Sequence, residues 1–282
     1  MKAKFLKPLL EKKLGFNLHL IEDIQKWFAD PSRYPDSYRD VMTIEEEMVG
    51  SMYGHHIFSD AKGDLVGLNF HGAQIEDYHL SFFSDDSLKS AFKKLKSLNL
   101  SQTNIKQFSL SEYFSEIVFV CMKDMKNLER LVCKKNLSKL ARLELSNTRL
   151  RQLKIPEGYQ NLYYLIISNN RELSTFEFGS PCQNLQILFI RGTSIKELQF
   201  PKGFDNLVYL YLNDNNIESI SLNGYLPHLS LLSLKNNNLK SIPDNILQLA
   251  PNLSSLYLGN NPKPDELSTL LEDIPNQNQL QH

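Results

Sequence analysis

Between Leu207 and Asn237 the chain writes one pattern twice. Leu207, Leu210, Leu212, Asn215 and Ile217 return 22 residues later as Leu229, Leu232, Leu234, Asn237 and Leu239. Self-similarity at a fixed period constrains a fold more than local propensity does, because every copy must pack on its neighbours in the same way. The pattern L-x-x-L-x-L-x-x-N-x-L continues on both sides of this pair. Copies open at Leu65, Leu95, Ile117, Leu140, Leu162, Leu185, Leu207, Leu229 and Leu253, at spacings of 30, 22, 23, 22, 23, 22, 22 and 24 residues. Between Ser111 and Lys139 two registers compete. A start at Leu128 leaves only 12 residues before Leu140, too few for a coil that needs about 20 or more. Ile117 aligns better, and we adopt nine repeats; the rival reading makes Ser111 to Met125 an amphipathic helix.

The three apolar positions of each copy point into one stacked core that no single copy could bury alone. The periodicity resembles the leucine-rich repeat family, over Leu65 to Pro262 or about 70% of the chain. Its period of about 22 residues and its Ile-Pro steps, in LKIPEG and KSIPDN, are similar to short intracellular or bacterial subclasses. The resemblance implies an α/β fold, a right-handed horseshoe solenoid with a concave parallel sheet and helical N- and C-terminal caps. It also implies an asparagine ladder at the ninth position. That position holds Asn170, Asn215, Asn237 and Asn261, with Thr103, Thr148 and Thr193 as shorter hydrogen-bonding substitutes. Ala73 and Met125 cannot substitute, so repeats one and three are expected to be less regular.

The flanks do not repeat. Leu20, Ile21, Ile24, Trp27 and Phe28 are spaced as one face of a helix that Pro31 ends. A second helix after Asp36 would carry Tyr38, Val41, Met42, Val49 and Met52 inward. Asp60-Ala61-Lys62-Gly63 reads as the turn of a hairpin leading into the first repeat. The long first repeat should hold a helix capped by Asp85 or Asp86, with Leu88, Phe92 and Leu95 inward. After Pro264, Asp265 can cap a last helix carrying Leu267, Leu270, Leu271 and Ile274. The expected division is therefore an N-terminal cap with hairpin at 1–64, repeats at 65–264, and a capping helix with polar tail at 265–282.

Composition excludes several function classes. A net charge of −1 over 282 residues selects neither nucleic acid nor an acidic membrane. The basic N-terminus has its apolar run broken by Lys7, Glu11, Lys12 and Lys13, unlike a signal peptide, and no apolar stretch is long enough to span a bilayer. Three cysteines without metal-like spacing suit a reducing compartment. The expectation is a cytoplasmic monomer, with export by a non-cleaved signal left open. No phosphate loop, dinucleotide fingerprint or zinc-helix motif occurs, His55-His56 has no partner at ligand spacing, and Asn213 to Asn216 lacks the carboxylates of a calcium loop. Cys121 falls on the concave face without a histidine placed to activate it, while Cys133 and Cys182 read as structural thiols. We expect no enzyme and no cofactor.

What remains is surface. Strand side chains alternate, so residues between the leucines face the concave side. There repeats five to seven contribute Tyr164, Ile166, Ile187, Phe189, Tyr209 and Tyr211, bordered by Arg191. An apolar block of this kind reaches the few hundred Å² that marks an interaction site. The expected function is binding of a partner protein through those seven residues. The alternative is an exported effector or adaptor in which residues 1–64 dock and the repeats select the target. The run from Lys123 to Lys154 carries ten positive and three negative residues, but they are spread around two coils and read as a solvated flank.

Overall fold

The computed structural model describes residues 2–23, 54–86, 88–243 and 245–262. Each repeat supplies one strand to a single sheet. Its members are β1 (His19–Ile21), β2 (Gly54–Ser59), β3 (Leu65–His71), β4 (Ser97–Asn99), β6 (Phe119–Lys123) and β8 (Arg142–Ser146), then β10 (Tyr164–Ser168), β12 (Ile187–Arg191), β14 (Tyr209–Tyr211), β16 (Leu231–Ser233) and β17 (Ser255–Tyr257). From β3 to β17 neighbouring strands run parallel, and equivalent positions sit side by side: Leu143, Leu165, Leu188, Leu210, Leu232 and Leu256 form one line. All nine repeat starts are buried, from Leu65 to Leu253. The register chosen at Ile117 holds: β6 pairs along its full length with β8, and only Glu112–Phe114 of the rival helical stretch forms a short 3-10 turn. Repeat three is thus as regular as its neighbours although Met125 replaces the ladder residue, because buried Met125 fills the position by packing alone.

The ladder residues do at the strand exit what their chemistry requires. Asn215 Oδ1 accepts from the Thr193 N–H at 2.9 Å and the Thr193 hydroxyl at 2.7 Å, while its Nδ2 donates to the carbonyls of Ile190 and Leu212 at 2.9 Å each. Asn170 serves Thr148 and Leu145 in the same way. One residue ahead of the ladder position the chain turns through the left-handed region, at Asp124, Asn147, Asn169, Asp214, Asn236 and Asn260, which Asn and Asp tolerate best. Gly192 takes this place in repeat six at φ +65°, where a Cβ would come within 2.9 Å of Asn169 Oδ1.

A second set of strands, not anticipated from the sequence, lines the opposite side. These are β5 (Gln107–Leu110), β7 (Arg130–Cys133), β9 (Gln152–Ile155), β11 (Thr175–Phe178), β13 (Glu197–Phe200) and β15 (Ser219–Leu222). They pair only in twos: β5 with β7, β9 with β11, β13 with β15. In every pair the N–H just past the later strand donates to the earlier one: Lys134 to Leu110, Gly179 to Ile155, Asn223 to Phe200. In the alternate repeats that position is Pro156 or Pro201, which has no N–H to give. The interruptions between β7 and β9 and between β11 and β13 fall at these prolines.

The N-terminal reading needs correction. Leu20 and Ile21 do not begin a helix; they lie in β1, an edge strand parallel to β2, since His19–Ile21 finds the open backbone edge of Gly54–Ser59. A helix forms earlier instead: α1 (Ala3–Leu14) puts Ala3, Leu6, Leu10 and Leu14 into the core and ends at Gly15 in the left-handed conformation. β2 and β3 form the expected antiparallel hairpin about Asp60–Gly63. The first repeat's helix is a single turn, α2 (Lys89–Phe92), begun at Leu88 without a side-chain cap. A second single turn, α3 (Ile246–Leu249), precedes β17, and the described chain is mostly strand. Trp27, Phe28, the helix expected after Asp36 and the helix expected after Asp265 lie outside the described residues.

Candidate concave interaction surface

The concave rows follow from the register. Tyr164, Ile187 and Tyr209 stand side by side on β10, β12 and β14, and Ile166, Phe189 and Tyr211 stand side by side in the next row. Strands about 4.8 Å apart bring all six into contact distance. Phe189 and Tyr211 rings lie 5.8 Å apart, and Tyr209 stacks along its own strand on Tyr211 at 6.3 Å. Tyr209 is 39% exposed and the other five are half-buried. The six expected residues are therefore one block with its faces open. Arg191 borders it, and its guanidinium is paired with Asp214 at 2.6 Å.

Toward the N-terminus the same rows change character. Asn69, Ser97, Asn99, Phe119, Cys121 and Glu144 are buried although their positions are concave, contrary to the solvent-facing expectation. In repeats three and four the burial is organised around charge. The Glu144 carboxylate contacts the Lys123 ammonium and the Arg142 guanidinium. Arg142 lies between two rings, 5.5 Å from the Phe119 centroid and 5.4 Å from that of Tyr164. A cation–π contact of this kind contributes about 0.5–2 kcal/mol and holds the guanidinium flat. Arg142 thus extends the block by one repeat, and the sequence reading missed it. The signal was present: Arg142 precedes Tyr164 in the same row, with Glu144 two residues on to fix it.

The chemistry of this corner is not nucleophilic. Burial, and next the Glu144 carboxylate, push the Cys121 thiol up to about 11, leaving it protonated near neutrality. Cys182 is pushed up to about 12 by burial alone. The basic run is neutralised across the coils: Lys135 pairs with Glu157, Lys139 with Glu116, Arg151 with Glu172 and Lys154 with Glu177. Asn213 and Asn215 are spent on turn and ladder hydrogen bonds, as Asn213 Oδ1 accepts from Ser233 and Lys235.

Residues 183–224, the sixth and seventh repeats, match the family profile described as Leucine Rich repeats (2 copies). That stretch is a pair of leucine-rich repeats. Among solved structures, the chain is similar to one in the octameric complex of latrophilin 3, Unc5D and FLRT2 at 16% identity and a TM-score of 0.41, covering 78% of this chain and 84% of that one. The leucine-rich repeat domain of APL1B is similar at 17% identity and a TM-score of 0.39, covering 62% of this chain and 57% of that one. A leucine-rich repeat protein of Leptospira interrogans is similar at 19% identity and a TM-score of 0.25, with 66% of each chain covered. Among curated proteins no match is found.

Proposed function

We propose that this leucine-rich repeat protein is a non-enzymatic interaction module whose partner protein is held on the concave block of Tyr164, Ile166, Ile187, Phe189, Tyr209 and Tyr211, with Arg191 at its edge. Leucine-rich repeats serve typically as protein-binding modules, which supports the general role. The observation that carries the site is the half-open aromatic and aliphatic block in register on three adjacent strands. Tyr and Arg are enriched among residues that dominate binding energy. In the same reading the solenoid is right-handed, helical segments close both ends, the repeats occupy 65–264, and the protein works as a cytoplasmic monomer.

The test compares capture from lysate by wild type and by a Phe189→Ser/Tyr211→Ser variant, with circular dichroism confirming that the variant folds. A protein retained by wild type and lost from the folded variant supports the site. Unchanged capture refutes it and favours docking through residues 1–64.

A further inference from the structure

The concave face is open in one half and closed in the other, and its own side chains do not account for the closed half. Phe58, Asn69, Ser97, Asn99, Phe119 and Cys121 all stand on the concave side, Phe58 because it pairs with Gly67 across the hairpin. Each is 2% exposed or less. Tyr164, Ile166, Ile187 and Phe189, in the same rows, remain half-open. Small residues cannot bury one another. Ser97 stands between Gly67 and Phe119, and Asn99 between Asn69 and Cys121. Ser233 is buried too, but between the rings of Tyr211 and Tyr257. None of Asn69, Ser97 and Asn99 is without a partner, as buried polar groups require. Burial of this kind calls for a segment laid over the rows.

We propose that residues 24–53 of the same chain, outside the described residues, occupy the concave face of repeats one to three and leave the rows beyond β6 to a partner. The path of the chain supports this occupant. β1 and β2 are parallel neighbours, and the 30 residues between Asp23 and Gly54 join them. Both strands run opposite to β3, yet they step across the sheet in the same direction as the repeats. The repeats return over the convex side, through β5, β7 and their successors. A crossover of the same hand between strands of reversed direction passes over the opposite, concave side. The convex side is already taken there, since α1 packs against β1 and β2 and puts Leu6 and Leu10 into the core. Length suffices as well. β6 lies three strands beyond β2, roughly 14 Å at the usual strand spacing, and a chain of 30 residues can span roughly 100 Å. Residues 263–282 are the poorer occupant: starting beyond β17, they must cross the half-open rings of β10, β12 and β14 to reach β6.

The test needs no partner, so its failure is separate from that of the binding site. In the full chain carrying the photocrosslinker substitution Phe119→p-benzoylphenylalanine, irradiation and peptide mapping should give crosslinks to residues 24–53. A second chain has those residues replaced by a Gly/Ser linker of equal length, with circular dichroism confirming that it folds. There Cys121 should be alkylated about tenfold or more faster than in wild type, because the cover that buries it is gone. Crosslinks to residues 263–282, to a second copy of the chain, or to neighbouring repeats alone overturn the assignment. A folded linker chain in which Cys121 stays as protected as in wild type overturns it too. If the linker chain does not fold, the crosslinks decide by themselves.

Discussion

Replacing Asn215 by alanine should be among the most damaging polar substitutions in the solenoid. Asn215 is 5% exposed, and its side chain makes four hydrogen bonds: two accepted from Thr193 and two donated to the carbonyls of Ile190 and Leu212. Each bond contributes a net of about 1 kcal/mol, and more where its partner is left buried and unsatisfied. The expected loss is therefore about 3–5 kcal/mol, measured by urea unfolding followed by circular dichroism. Asn206→Ala is the control: its one bond, to the Gln183 carbonyl at 2.9 Å, is exposed and should cost about 0.5 kcal/mol or less. A double-mutant cycle sharpens the test. Thr193→Val alone should cost about 1 kcal/mol, but little in the Asn215→Ala background, because the hydroxyl's acceptor is already gone. A loss below about 1 kcal/mol for Asn215→Ala, or a fully additive cycle, would refute the account of the ladder as buried-group satisfaction.

Three further outcomes are expected. Burial holds His55 and His56 below the usual histidine range, so their contribution is present above about pH 6.5 and is lost as pH falls through that value toward the folded-state pKa; thermal midpoints at pH 7.5 and 5 should differ less in a His55→Gln/His56→Gln variant. Cys121 should resist a thiol reagent at neutral pH in the folded protein and react on unfolding, with mass spectrometry assigning the modified residue. Hydrogen exchange should be faster for the amides of Glu197 and Gln199 than for those of Ser219 and Ser221, since β13 lacks a hydrogen-bonded neighbour on its β11 side and β15 has β13.

The solenoid and its register were legible because a buried leucine line leaves a period of about 22 in the sequence, and the concave block followed from that period and strand alternation. Ile117, Ile166 and Phe189 all stand where counting put them. The convex strands were missed although QFSL, QLKI and ELQF alternate in the strand manner; four-residue alternations are weak signals beside a nine-fold repeat. At Leu20 and Ile21 the helical spacing was real, but an available backbone edge on β2 outweighed it. Arg142 and Glu144 were read as two separate charges, because their meaning depends on rings contributed by the repeats on either side.

The alternating prolines give the convex side a mechanical consequence. Repeats two and three, four and five, and six and seven are each laced together on that side, while Pro156 and Pro201 leave the seams between pairs held chiefly by the concave sheet and the core. The body is built like a jointed strap, stiff within each link and compliant between links. The seam at Pro201 passes directly behind the aromatic block, between Tyr164 and Ile187. A small flexion there would change the spacing of the rings on either side, and so, in the proposed binding role, the fit of a partner, without unfastening any leucine from the core.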